Sequence, residues 1–197
     1  PQNKWASEIP EFKIKIQELF TQFDVLGKTL LESIALFLNL EKTHFNQIAN
    51  EGNSVMRSIH YPPVREDDQG ERSGAHEDIN LITLLIGGHQ PGLEIKTKDG
   101  KWVSVDTDPE VLVCNIGDML QRFTNHRLVS TTHRVNAPLT SRLISRYSIP
   151  FFVHPNPDWL IDTLESCCSK DNPKRYLEPI IAEDYLQERL KEIKLIS

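Results

Sequence analysis

The stretch GAHEDINLITLLI, residues 74–86, decides how this chain is read. Its second half, INLITLLI, is one of eight short β-rich runs that follow Ser54, the others being VMRSIHY, LEIKT, KWVSVD, VLVCNI, MLQRF, LVSTTHRV and RYSIPFFV. Eight such runs in about a hundred residues, separated by turn residues, predict a sandwich or jelly roll. The turns are Gly87-Gly88, Pro91-Gly92, Asp99-Gly100, Asp108-Pro109, Gly117-Asp118 and Thr124-Asn125, and Asp99-Gly100 between LEIKT and KWVSV is the strongest hairpin signal. The first half of the stretch places His76 and Asp78 two residues apart at the mouth of a strand, so both side chains share one face and can reach one ion.

Outward from this β region the pattern turns helical on both sides. Toward the N-terminus, Ile16, Leu19, Phe20, Phe23, Leu26, Leu30 and Ile34 recur at the spacing of an amphipathic helix over about 11–40, with a break expected near Gly27 and a shorter helix from Lys42 to about Ala49. Toward the C-terminus, WLIDTLESCC and AEDYLQERLKEIKLI predict two further helices. The charged segment REDDQGERSG at 65–74 predicts an exposed loop. The expected class is α+β, mainly β, in a single domain 1–197: a helical segment at 1–50, a β core at 51–155 and a helical segment at 156–197.

A chain of 197 residues is long enough to bury a core without disulfides. Its net charge of −6 and scattered lysines and arginines disfavour nucleic acid as a partner. Cys114, Cys167 and Cys168 form an odd set with two neighbours adjacent, poor geometry for a secreted disulfide framework, and a reducing cytoplasm fits them better. Neither an export signal nor a stretch of about 20 apolar residues is evident, so membrane insertion is not expected. Nothing in the sequence sets an oligomeric state.

With 7 histidines and 12 aspartates, chance alone supplies about 0.4 His-x-Asp pairs, so His76 and Asp78 need a third ligand to carry weight. His133, in LVSTTHRV, would enter from a strand folded back beside the first. Two histidines and one carboxylate leave three octahedral positions open, the pattern of non-haem Fe(II) oxygenases, while a hydrogen-bonded core histidine is the plain alternative for His133. His44 falls on a helix, His89 and His126 in turns and His154 between Val153 and Pro155, all expected to be structural or solvent-exposed; His60 is left open. Arg146 and Ser148 in RYSIPFF repeat the two-apart spacing and make a plausible carboxylate clamp, since a planar guanidinium gives two parallel charge-assisted hydrogen bonds.

In their order, HYPP (60–63), GAHEDINLITLL (74–85), PGLEI (91–95), NIGDML (115–120), NHRLVSTTHRV (125–135) and RYSIPFF (146–152) resemble the isopenicillin N synthase-like family of Fe(II)/2-oxoglutarate dioxygenases, closely over about 50–155. The resemblance implies a double-stranded β-helix, or jelly roll, flanked by helices, with His76, Asp78 and His133 as iron ligands. It further implies that Arg146 and Ser148 bind the distal carboxylate of 2-oxoglutarate, with Tyr61 as a hydrogen-bonding companion. Asn115, Gly117 and Asp118 form a structural turn in this reading, and Arg134 and Arg142 rank below Arg146 because neither stands in Arg-x-Ser. The implied activity is oxidation, most often hydroxylation, of a small molecule with O2 as co-substrate and release of succinate and CO2.

Members of the family usually carry a further N-terminal segment, with a strand that joins the main sheet, ahead of such a helix; this chain starts almost at the helix, as a fragment or a truncated homologue would. An oxidase on the same scaffold that needs no 2-oxoglutarate, a non-catalytic jelly-roll binding module and a zinc hydrolase remain as alternatives.

Overall fold

A computed structural model of the chain describes residues 3–65, 71–105 and 110–194. The expected turn at Asp108-Pro109 and positions 66–70 of the expected charged loop lie outside the described residues. The chain divides into two compact units, 1–47 and 48–197.

In the first unit, α1 (Pro10–Phe37) opens with proline in its first turn, where the missing N–H costs nothing, and with Glu11 suited to the helix dipole. Phe23, Gly27, Leu31 and Ala35 are its buried residues, at four-residue intervals along one stripe. The expected break at Gly27 does not occur: the helix is continuous, and Gly27 lies on the buried stripe. It ends where Asn39 takes a left-handed φ of 58° and the Leu40 N–H reaches back to the Ala35 carbonyl at 2.9 Å, a helix stop of the Schellman type. The helix expected at 42–49 is only a short 3-10 turn, His44–Asn46.

The second unit contains strands β1 (Val55–Met56), β2 (Ile59–Tyr61), β3 (Ser73–His76), β4 (Ile82–Ile86), β5 (Leu93–Lys96), β6 (Trp102–Ser104), β7 (Leu112–Ile116), β8 (His133–Val135), β9 (Arg146–Val153), β10 (Leu160–Ile161) and β11 (Ile180–Ile181), with helices α2 (Asp118–Phe123) and α3 (Ala182–Glu192). One sheet runs β1-β9-β4-β7, with β2 also on β9; a second runs β3-β8-β5-β6; β10 and β11 pair alone. All pairs are antiparallel, and strands distant in sequence alternate within each sheet, which is the jelly roll.

Cross-strand pairs explain the core. Ile82 faces Val153 and Leu84 faces Phe151 in register, all buried, and each such side chain contributes roughly 1.5–3 kcal/mol on burial. The β5–β6 hairpin turns at Asp99-Gly100, with Gly100 at a φ of +83° that favours glycine. No helix among the described residues is long and apolar enough to cross a membrane.

Three expectations are corrected. MLQRF is not a strand but most of α2, whose Met119, Leu120 and Phe123 turn one buried face inward. WLIDTLESCC forms β10 and a 3-10 turn at Glu165–Cys167 rather than a helix, because Ile180 and Ile181 supply the backbone partners that a helix would have found within itself. The loop expected to run to residue 74 gives way at Ser73 to β3, a strand that has β8 as its partner.

Candidate metal centre and adjoining cavity

β3 ends at His76 and β8 begins at His133, and the two are register partners. Between Ser73 and His76 the β3 chain carries one residue more than β8 does between Val135 and His133, a bulge that re-aims the strand end. Asp78 lies just beyond β3, not within it. Its carbonyl accepts the Asp118 N–H at 2.9 Å, while the carbonyls of Asn80 and Leu81 accept the N–H groups of Met119 and Gly117, so the N-terminal end of α2 fixes the backbone that carries the carboxylate.

His76, Asp78 and His133 each present one ligand atom, and these atoms lie within 4.8 Å of one another. The Asp78 Oδ1 stands 3.8 Å from His76 Nε2 and 3.7 Å from His133 Nε2. Each imidazole Nδ1 sits against a backbone carbonyl, Gly74 at 2.7 Å and Thr131 at 3.0 Å. A carbonyl only accepts, so Nδ1 carries the proton and Nε2 turns its lone pair to the common point. Asp78 and His133 are buried and His76 is exposed at the rim, and the Asp78 Oδ2 is buried without a hydrogen-bond partner. Glu77, between the two rim residues, accepts the Thr132 hydroxyl at 3.1 Å and ties the β3 end to the residue before His133. These donors and this orphaned oxygen fit a divalent cation with open coordination positions.

Arg146 and Ser148 both turn inward from β9 and are buried, Arg146 at 1% exposure. Tyr61 is the register partner of Arg146 on β2, with its ring 5.6 Å from the guanidinium carbon. Nε and Nη2 of Arg146 are buried with no hydrogen-bond partner. Burial lowers its pKa; Tyr61 opposes this, and the positive charge of Arg72 adds to it. An arginine so placed lacks a counter-charge and fits an anionic ligand.

Sequence reasoning missed Arg72. Its Nη2 donates to the carbonyls of Ile144 at 2.6 Å and Ser141 at 3.3 Å, pinning the segment that leads into β9, while its Nε and Nη1 are buried without partners. The other arginines are placed elsewhere: Arg134 pairs with Glu71 and Glu94, and Arg142 donates to the Arg65 carbonyl. His60 lies on the outer face, stacked on Tyr147 and bonded to Ser145. His89 is exposed and His126 contacts the Tyr176 hydroxyl at 2.7 Å.

A cavity of about 820 Å³ opens beside the rim, lined by His76 and Asp78, by Arg57 and Val55 near β1, by Phe152 and His154, and by α3. His154 was expected to be structural or exposed, yet it lines this cavity, and burial drives its pKa down to about 4. Asp118 anchors α3 nearby: its Oδ2 accepts Tyr185 Oη at 3.1 Å and Arg189 Nε at 3.2 Å, and burial pushes its carboxyl up to about 6 against their pull.

A jelly roll whose rim gathers two histidines and an aspartate, with a buried unpaired arginine inside, defines the class of non-haem metal oxygenase scaffolds. A model of the 2OG-Fe(II) oxygenase superfamily matches residues 52–155, just over half of the chain, and the chain belongs to that superfamily. It is 34% identical over 197 residues to a 2-oxoglutarate-Fe(II) type oxidoreductase of Emericella nidulans, covering 96% of this chain and 55% of the relative. Among solved structures, a 2OG-Fe(II) oxygenase family protein from Caulobacter crescentus superposes with a TM-score of 0.89 at 48% identity, covering 98% of this chain and 63% of the other. A full-length Neurospora crassa protein solved in complex with alpha-KG and thymine gives a TM-score of 0.88 at 28% identity, covering 98% and 60%. The chain thus spans between about half and two thirds of the length of these relatives.

Proposed function

We propose that residues 51–155 form the core of an Fe(II)- and 2-oxoglutarate-dependent dioxygenase that hydroxylates a small molecule, with His76, Asp78 and His133 as iron ligands and Arg146, Ser148 and Tyr61 as the 2-oxoglutarate clamp. The observation that carries this reading is the meeting of two Nε2 lone pairs and one carboxylate oxygen within 4.8 Å, at the open end of a jelly roll. The superfamily, and a relative solved with alpha-KG and thymine, support it. Bound iron would supply activation of O2 coupled to decarboxylation of 2-oxoglutarate to succinate and CO2.

The chain's own residues do the positioning. The Gly74 and Thr131 carbonyls hold both imidazoles in the tautomer that leaves Nε2 free to ligate. Arg146 offers buried donors to the far carboxylate of the co-substrate and so fixes which end reaches the metal. That unpaired guanidinium fits a carboxylate of 2-oxoglutarate or of a substrate, so O2 uptake with and without 2-oxoglutarate separates this reading from an oxidase that needs no such co-substrate. Anaerobic titration of the full chain with Fe(II) and then 2-oxoglutarate tests the reading: the visible charge-transfer band of the chelate is expected, and an iron-loaded chain that develops no band refutes it.

A further inference from the structure

The cavity beside the rim carries charges that are not all matched. Arg189 is committed to Asp118 and Glu192, Glu77 accepts from Thr132, and Glu183 accepts from Gln187 one turn on. Arg57 alone among these makes no ion pair or side-chain hydrogen bond within the described residues; its guanidinium lies over the Phe152 ring, 5.6 Å from the centroid. That ring orders the side chain by a cation–π contact and leaves its donors free. His154 lines the same cavity as Arg57, His76 and Asp78. The same cavity is also lined by Leu186 and Leu190 of α3 and by Ile193 at its C-cap, which fall on one face of the helix, with Glu183 and Arg189 beside them.

We infer that Arg57 sets substrate specificity and that the substrate is a small organic acid: its carboxylate is held by the Arg57 guanidinium and its apolar body lies between Phe152 and the leucines of α3, toward His76 and Asp78. This deepens the function proposed above and rests on it. An exposed arginine fork with no carboxylate partner among the described residues, set over a ring in a cavity that also has aliphatic lining, suits that class of molecule. His154, lining the same cavity, offers a further polar contact.

The test uses the full chain held anaerobically with Fe(II) and saturating 2-oxoglutarate, so that acid probes cannot occupy Arg146. Binding of 3-phenylpropionate and of hexanoate is compared with that of the matched amides by ligand-observed NMR. Wild type is expected to bind the acids about tenfold more tightly than the amides, Arg57→Gln to abolish that preference, and Arg57→Lys to restore part of it. The 2-oxoglutarate chelate band should persist in both variants, which also reports that they are folded. Equal binding of acid and amide by wild type, no binding of either acid, or a preference that survives Arg57→Gln would overturn the assignment. A chain that forms no chelate but still discriminates through Arg57 would sink the dioxygenase reading and keep the acid site, so the two failures are distinct.

Discussion

His76 and His133 face each other across β3 and β8 as register partners, their ring centroids 4.4 Å apart. The sheet ladder itself therefore sets the bite of the two imidazoles, and Asp78 closes the set from a segment that α2 holds in place.

Replacing His133 with Ala removes one ligand from this set while leaving β8 its backbone bonds. Fe(II) affinity is expected to fall by about 100-fold or more, with succinate formation lost. Iron titration of the purified variant checks this, and wild-type affinity would remove His133 from the centre.

Arg146→Leu has two expected effects of opposite sign. With Arg146 as the proposed 2-oxoglutarate clamp, its loss is expected to raise the KM for 2-oxoglutarate by roughly 10-fold to 100-fold, the worth of a charge-assisted pair. Removal of a buried charge that has no partner raises the melting temperature of the ligand-free chain. Thermal denaturation with and without 2-oxoglutarate separates the two, and a destabilised ligand-free variant would show that Arg146 is already satisfied.

At Gly117 a Cβ would stand 2.1 Å from the Asn80 carbonyl oxygen, with Asn80 itself fully buried. Gly117→Ala is expected to cost about 3 kcal/mol of stability and to weaken metal binding through the displaced Asp78 segment. Urea denaturation with a parallel iron titration measures both; a neutral substitution would mean that the α2 turn yields freely.

His154, pushed down to about 4 by burial, stays neutral in the fold at a pH where an unfolded histidine takes a proton. Its contribution to stability is therefore full above about 6.5 and is lost as pH falls toward 4. Asp118, raised to about 6, works in the other sense: folding favours its protonated form, and that contribution fades as pH rises through 6. The metal-free His154→Gln variant is expected to lose less stability than wild type between about pH 7 and about pH 4.5, and Asp118→Asn to lose more. Identical pH profiles for all three would dismiss both assignments.

The long strands were legible because their residues leave little choice: RYSIPFFV and INLITLLI are rich in β-branched, aromatic and other apolar residues and became β9 and β4. Short elements were not. MLQRF has too few residues to display a period, and β3 is written in Ser73, Gly74, Ala75 and His76, whose place in the sheet comes from β8 rather than from local preference. The same division holds for the site. His-x-Asp and Arg-x-Ser stand close in sequence and can be spotted there, whereas Arg57 and His154, almost a hundred residues apart, come to line one cavity only once β1 lies against β9. Arg72 was missed for a related reason, since the carbonyls it bonds belong to a segment some seventy positions away.

The single residue between His76 and Asp78 makes length, more than composition, the guarded property of this short stretch. Deleting the extra position that β3 carries before His76 would turn the bulge into a regular ladder in which Ser73 still faces Val135 and His76 still faces His133, whereas deleting Glu77 would set Asp78 next to His76 and turn its carboxylate to the opposite face, even though every residue kept was chemically intact. Variation between His76 and Asp78 should proceed by exchange of residues and not by insertion or loss, and a designer who wishes to silence the centre without disturbing the core could do so with that single codon removed.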